Sequence, residues 1–245
     1  MTRVHDPAEV VGRGTGRLDE LFAGLAAGVV PEADGRIEVV PPDPAWPGLE
    51  AVIEFTAHAV VVTYVPADDL AARGVDAYGG AVAPDVLRRL AGPTGWVDAH
   101  DALLLGHGTG TGTGTAGHDG DDGVDGTLVA GPLPVLGDDV RHPRLDVARE
   151  LRHDVVALGD ERGFVTVGTR LGRQRELSIE LAAGVAPGRG VGGTLLRDAL
   201  AHVPAGAPVF ACVSSGNARS LRCFLRAGFV PLGAEVLLRP ARQAR

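Results

Sequence analysis

Residues 187–196, PGRGVGGTLL, place Gly188, Gly190, Gly192 and Gly193 within six positions, directly ahead of an apolar run. Glycine carries no Cβ, so such a stretch lets a ligand come close to the backbone. If a strand leads into it and a helix leaves it, the first helical N–H groups lack internal partners and carry partial positive charge. The chemistry on offer is then anion binding, with phosphate the obvious anion. Two phosphate-binding patterns fail. Gly188, Gly190 and Gly193 fit GxGxxG, but the acidic residue a dinucleotide fold needs about twenty positions on is missing, and VFACVSSG stands in its place. A P-loop fails because Thr194 occupies the lysine position, and every one of the 23 basic residues is arginine.

Other chemistry-bearing residues are scattered. Cys212 and Cys223 are too few for a disulfide framework or a zinc cluster, and both read as small packing residues. His58, His153 and His202 are isolated and read as structural. His107, His118, Asp119, Asp121, Asp122 and Asp125 lie in GHGTGTGTGTAGHDGDDGVDG (106–126). They do not make a calcium loop, because Gly123 stands where a third oxygen ligand belongs and no closing Glu follows. No metal is expected, and the segment reads as a disordered low-complexity insertion.

The elements around the glycine stretch follow from periodicity. RELSIELA (175–182) alternates as a strand, with Leu177, Ile179 and Leu181 on one face and Glu176, Ser178 and Glu180 on the other. After the turn, Leu195, Leu196, Ala199, Leu200 and Val203 form one helical stripe. APVFACVS (207–214) is a strand, and NARSLRCFLRA (217–227) is a helix with Asn217 as its N-cap and Gly228 as its stop. Upstream, 142–152 is helical, and 154–158 and 163–171 form a hairpin. FVPLGAEVLL (229–238) closes the chain as a strand.

The first half reads as a helix over 16–30, a strand over 36–40, one bent or two straight strands over 51–65, two short helices and a strand over 96–105. GRGTG (12–16) is glycine-rich, with no strand expected before it. The fold class is α/β, with a mixed α+β sheet. The expected division is an accessory α/β region over 1–140 and a second domain over 141–245. Net charge is −8, which argues against a nucleic-acid partner. No signal peptide and no membrane-length apolar run is present, so the expectation is a soluble cytoplasmic protein with no membrane partner.

The stretch from Arg189 onward resembles the acyl-CoA motif of the GNAT superfamily of N-acetyltransferases: a strand, then Arg/Gln-x-x-Gly-x-Gly/Ala, then a helix opening with paired Leu. Gly190 and Gly192 are the motif glycines. NARSLRCFLRAGFVPLG resembles the family's Asn-led helix ending in Gly-Phe, and the strand PVFACV intervenes as it should. The resemblance covers roughly 141–240. It departs at the leading Arg/Gln, which falls on Pro187, in a strand-to-loop segment one residue longer than usual, and at Phe224, where the family often carries a proton-donating Tyr.

The resemblance implies a GNAT-like acyl-CoA N-acyltransferase fold in the C-terminal half. It implies acetyl-CoA as cosubstrate and a small-molecule or peptide amine as acceptor. The cofactor would be held by Leu181, Ala182, Ala183, Gly188, Arg189, Gly190, Val191, Gly192, Gly193, Thr194 and Asn217. The strands bearing Leu181 and Val209 would splay to admit the pantetheine arm, and an N–H near Leu181–Ala183 would stabilise the oxyanion. Glu176 and Glu180 are equal candidates for the base. The alternative is a catalytically degenerate acyl-CoA-binding module that regulates a partner. Residues 1–140 could be a degenerate copy of the fold, a substrate lid or a homodimer surface.

Overall fold

The computed structural model describes residues 9–14, 16–112, 128–137, 139–185 and 189–241. In chain order the elements are β1 (Val10–Gly12), α1 (Arg17–Ala26), β2 (Arg36–Val40), β3 (Glu50–Phe55), β4 (His58–Val62), α2 (Ala67–Ala71), α3 (Pro84–Ala91), β5 (Trp96–Val97) and β6 (Asp101–His107). They continue with α4 (Pro143–Leu151), β7 (His153–Asp160), β8 (Gly163–Thr169), β9 (Arg175–Leu181), α5 (Val191–Leu200), β10 (Pro208–Ser214), α6 (Ala218–Arg226) and β11 (Val230–Arg239). The fold is mixed α/β. The chain packs as two compact units, Met1–Ala102 with Leu232–Arg245, and Leu103–Pro231. The division therefore falls well before the 140/141 boundary expected from composition, and most of the last strand belongs with the first unit.

In the first unit the strands run β1-β2-β4-β3-β11. β1, β2 and β4 are parallel, whereas β3 is antiparallel to both β4 and β11. β3 and β4 form a hairpin across Thr56-Ala57, which settles 51–65 as two strands. α1 buries Leu18, Leu21, Phe22 and Leu25, the stripe its spacing predicts. Leu70, Val86 and Leu90 join a core with Ile37, Val39, Val52, Val61, Val236 and Leu238. One expectation is corrected here: a strand does precede GRGTG. β1 is three residues long, too short to show a period, and it exists through its ladder to β2, Val10 opposite Ile37 and Gly12 opposite Val39. The single strand expected over 96–105 is broken into β5 and β6.

The second unit orders its strands β6-β10-β9-β8-β7. β7 and β8 are joined through Glu161-Arg162, and β8 pairs with β9 from Gly163↔Leu181 to Thr169↔Arg175. β9 and β10 are parallel, connected through α5 as parallel strands require. The segment 106–112, expected as the start of a disordered insertion, is instead bonded to the chain after α5. Gly108 N donates to Ala207 O at 2.9 Å, Gly110 N to Val203 O at 2.8 Å and Ala205 N to Gly110 O at 2.9 Å. The alternating glycines have a packing cause. A Cβ at Gly106 would overlap the Phe229 ring, at Gly108 the Pro204 carbonyl, at Gly110 the Ala201 carbonyl and at Gly112 the Ala130 carbonyl. The rest of that expectation, 113–126, lies outside the described residues.

Candidate functional site

β9 ends at Leu181, and its hydrogen-bond alternation decides which of its amides are free. Ala182 N donates to Arg162 O at 3.0 Å, back toward the β8 side. In an antiparallel ladder the groups alternate sides, so the N–H groups of Ile179 and Leu181 point away from β8, toward β10. β10 does not meet them there. The single register pair between the two strands is Phe210↔Glu176, near the start of each. The free edge beyond that pair borders a cleft of about 720 Å³ that Ile179, Glu180 and Leu181 line.

The glycine turn forms the cleft's second wall. Gly190 is the N-cap of α5 at φ 77, a left-handed conformation that glycine adopts without strain, and no side chain caps the helix. The bond from Thr194 N to Gly190 O (3.0 Å) is the first turn's closure. Ahead of it, the N–H groups of Val191, Gly192 and Gly193 have no acceptor among the described residues. Gly190, Val191, Gly192 and Gly193 all line the cleft. A Cβ on Gly193 would meet nothing within 4 Å, and one on Gly192 would have Cys223 Sγ as its nearest neighbour at 3.5 Å.

The third wall is α6. Asn217 caps it, accepting from Ser220 N at 3.1 Å, and also lines the cleft. Arg219, Arg222 and Arg226 follow at helical spacing on the same wall with Cys223. None of these three arginines has a carboxylate partner among the described residues. Burial pushes the Cys223 thiol up, partly offset by Arg226. Among the described residues the cleft thus carries four arginines, the fourth being Arg144 of α4, against one carboxylate, that of Glu180. The arginine stripe went unread in the sequence, although its 219/222/226 spacing was there to see.

The two candidate bases sit in different surroundings. Glu180 faces the cleft, where its Oε2 accepts from Arg144 Nε at 2.7 Å, with side chains 34% and 51% exposed. Glu176 is buried between Arg152 Nη2 at 2.6 Å and Arg170 Nε at 2.9 Å. It does not line the cleft. Of the other anticipated residues, Thr194 turns its hydroxyl back to Val191 O at 2.8 Å, and Ala182 and Ala183 do not line the cleft. Arg189 is exposed outside it, and Gly188 lies outside the described residues. Phe224 is buried edge-on to Phe229, with centroids 4.9 Å apart.

The histidines are committed elsewhere. His202 is buried, with Nδ1 at 3.2 Å from Val129 O and Nε2 accepting from Leu133 N at 3.0 Å, and burial holds its pKa down. His58 bonds Asp34 at 2.9 Å. Among the described residues no group of three His, Cys, Asp or Glu is placed to hold a metal ion, and no helix is long and apolar enough to cross a membrane.

No protein-family model and no curated protein matches this chain. Solved structures do. A GNAT-family protein from Novosphingobium aromaticivorans DSM 12444 is similar at 14% identity and a TM-score of 0.37, over 61% of this chain and 69% of that one. An acetyltransferase of the GNAT family from Colwellia psychrerythraea is similar at 13% and 0.31, over 58% of this chain and 56% of that one. A GCN5-related N-acetyltransferase from Kribbella flavida is similar at 12% and 0.35, over 68% of this chain and 66% of that one. The second unit runs β9, glycine turn, α5, β10 and α6, with the two strands parting beside the turn.

Proposed function

We propose that the second unit is an N-acetyltransferase that takes its acyl group from acetyl-CoA and passes it to an amine by direct attack. The observation that carries this is the set of three amides at Val191, Gly192 and Gly193 that find no acceptor among the described residues, lining one cleft with α6 arginines that have no carboxylate partner among them. A diphosphate fits that donor set. Helix-end amides and guanidinium groups are the strongest neutral and charged donors a chain offers to phosphate oxygens. The open edge of β9 beside it offers Ile179 and Leu181 to an extended, amide-bearing arm, which would add to the sheet edge.

Acetyl-CoA, when bound, supplies a thioester carbonyl to the attacking amine and a thiolate as leaving group. The Leu181 N–H points into the gap and is the donor aimed at the acyl oxygen. Glu180, in the cleft, is the carboxylate that takes the amine's proton. Glu176, clasped by Arg152 and Arg170, instead fixes the start of β9 beside the point where β10 departs. Phe224 has no proton to give, and a free thiol ionises near pKa ~8.5, so departure without an acid is slowed and not prevented.

The test is calorimetric titration with acetyl-CoA, followed by a thiol-release assay across small amines, aminoglycosides and peptide N-termini. Saturable binding with release for some amine is the expected result. Binding with no release from any amine would contradict the enzymatic reading.

A further inference from the structure

We propose that the acceptor is a small zwitterion, an amine with a carboxylate one or two carbons away, held between Arg144 and Glu180. This rests on the acyltransferase function proposed above. Arg144 enters from the first turn of α4, behind Pro143 and the cap His142. It spends its Nε on Glu180 Oε2 at 2.7 Å, and no second carboxylate reaches it among the described residues. Arg144 itself lines the cleft.

The cleft's charges divide by element. The α6 arginines and the α5 amides form a purely cationic wall, suited to the phosphates. Arg144 and Glu180 are a matched pair of opposite sign on α4 and β9. A simple cationic amine gains Glu180 but leaves Arg144 uncompensated beside it. A zwitterion satisfies both partners at once, its carboxylate taking the planar guanidinium fork and its ammonium taking Glu180. Opening the pair costs little, because ion pairs with side chains this exposed are worth only about 0–1 kcal/mol. The 2.7 Å contact also sets scale: the two ligand charges must lie close together to replace one another's partners.

Glu180, released from Arg144, takes one proton from the bound ammonium. The freed nitrogen pair forms the C–N bond, the C–S bond breaks, and the electron pair leaves on the thiolate, which is protonated from solvent. The amide nitrogen loses its second proton to solvent.

The experiment compares matched pairs, α-amino acids against their decarboxylated amines, by thiol release at saturating acetyl-CoA, with acetyl-CoA binding measured separately. The expected result is a preference of about tenfold or more in kcat/KM for the acid. Arg144→Gln should bring that preference to within about twofold of unity, and Arg144→Lys should restore part of it. Equal or better turnover of the decarboxylated amines, or a preference untouched by Arg144→Gln, overturns the acceptor assignment alone. Failure to bind acetyl-CoA overturns the acyltransferase reading as well. Binding without turnover of either member of any pair also overturns the assignment.

Discussion

Phe210 of β10 stands opposite Glu176 of β9, and beyond that pair the two parallel strands share no further register. The sheet therefore opens beside the amides of Ile179 and Leu181. Glu176 is also the residue that Arg152 and Arg170 hold from two sides, so the last point of pairing is the most strongly anchored.

That anchoring separates the two glutamates experimentally. Glu176→Gln takes the carboxylate away from buried Arg170 and partly buried Arg152, and removing one partner of such a network costs about 3–5 kcal/mol. Glu180→Gln breaks only an exposed pair and costs about 0–1 kcal/mol. Thermal denaturation should show a large fall in Tm for the first and little change for the second. Turnover of the second should fall while its fold and acetyl-CoA binding persist.

Gly193 offers a case in which stability and binding move in opposite directions. Its Cβ position is open, and it lies in the first turn of α5. Gly193→Asp places a carboxylate where the helix dipole favours one, a gain of about 0.3–1 kcal/mol. The same charge occupies the anion site. Tm should hold or rise while acetyl-CoA affinity falls by about a hundredfold, since several charge-assisted hydrogen bonds are lost together. A parallel loss of both would mean the turn is structural only.

The arginine stripe makes a salt-dependent prediction. Arg222→Ser should weaken acetyl-CoA binding by about tenfold at low ionic strength, the scale of one hydrogen bond to a charged group. The deficit should shrink as salt is raised, because partly exposed charges are screened over about 8–10 Å. An affinity independent of both salt and Arg222 would remove α6 from the site.

Much of this cleft was legible because its parts are local. The alternation of 175–181, the stripe on 195–203, the cap at Asn217 and the stop at Gly228 each lie within one element. What escaped depends on partners far along the chain. Arg144 joins Glu180 across 36 positions. The glycines at 106–112 read as low complexity until 201–204, Ala130 and Phe229 are brought against them, and then each proves to be a point of close approach. β1 has no pattern of its own, and β11 finds its partner in β3, near the other end of the chain.

Glu54 of β3 gives the first unit its own pH signature. Burial, with Asp76 adding, raises its carboxyl from 4.5 to about 6. The folded state then holds a proton that the unfolded state releases between those values. The associated stability is present below about 4.5 and lost as pH rises through about 6. Glu54→Gln removes the charged form, so the variant's Tm should exceed the parent's at pH 7.5, and the gap should close toward pH 4.5. A gap independent of pH would contradict this.

The most direct test of the site is the behaviour of three amides. Amide exchange and NMR shifts at Val191, Gly192 and Gly193 should be followed as acetyl-CoA is titrated into the full chain. These three N–H groups should shift downfield together and exchange more slowly at saturation, with dephosphorylated pantetheine failing to reproduce the effect. Saturable binding that leaves all three unchanged would place the diphosphate elsewhere and contradict the account.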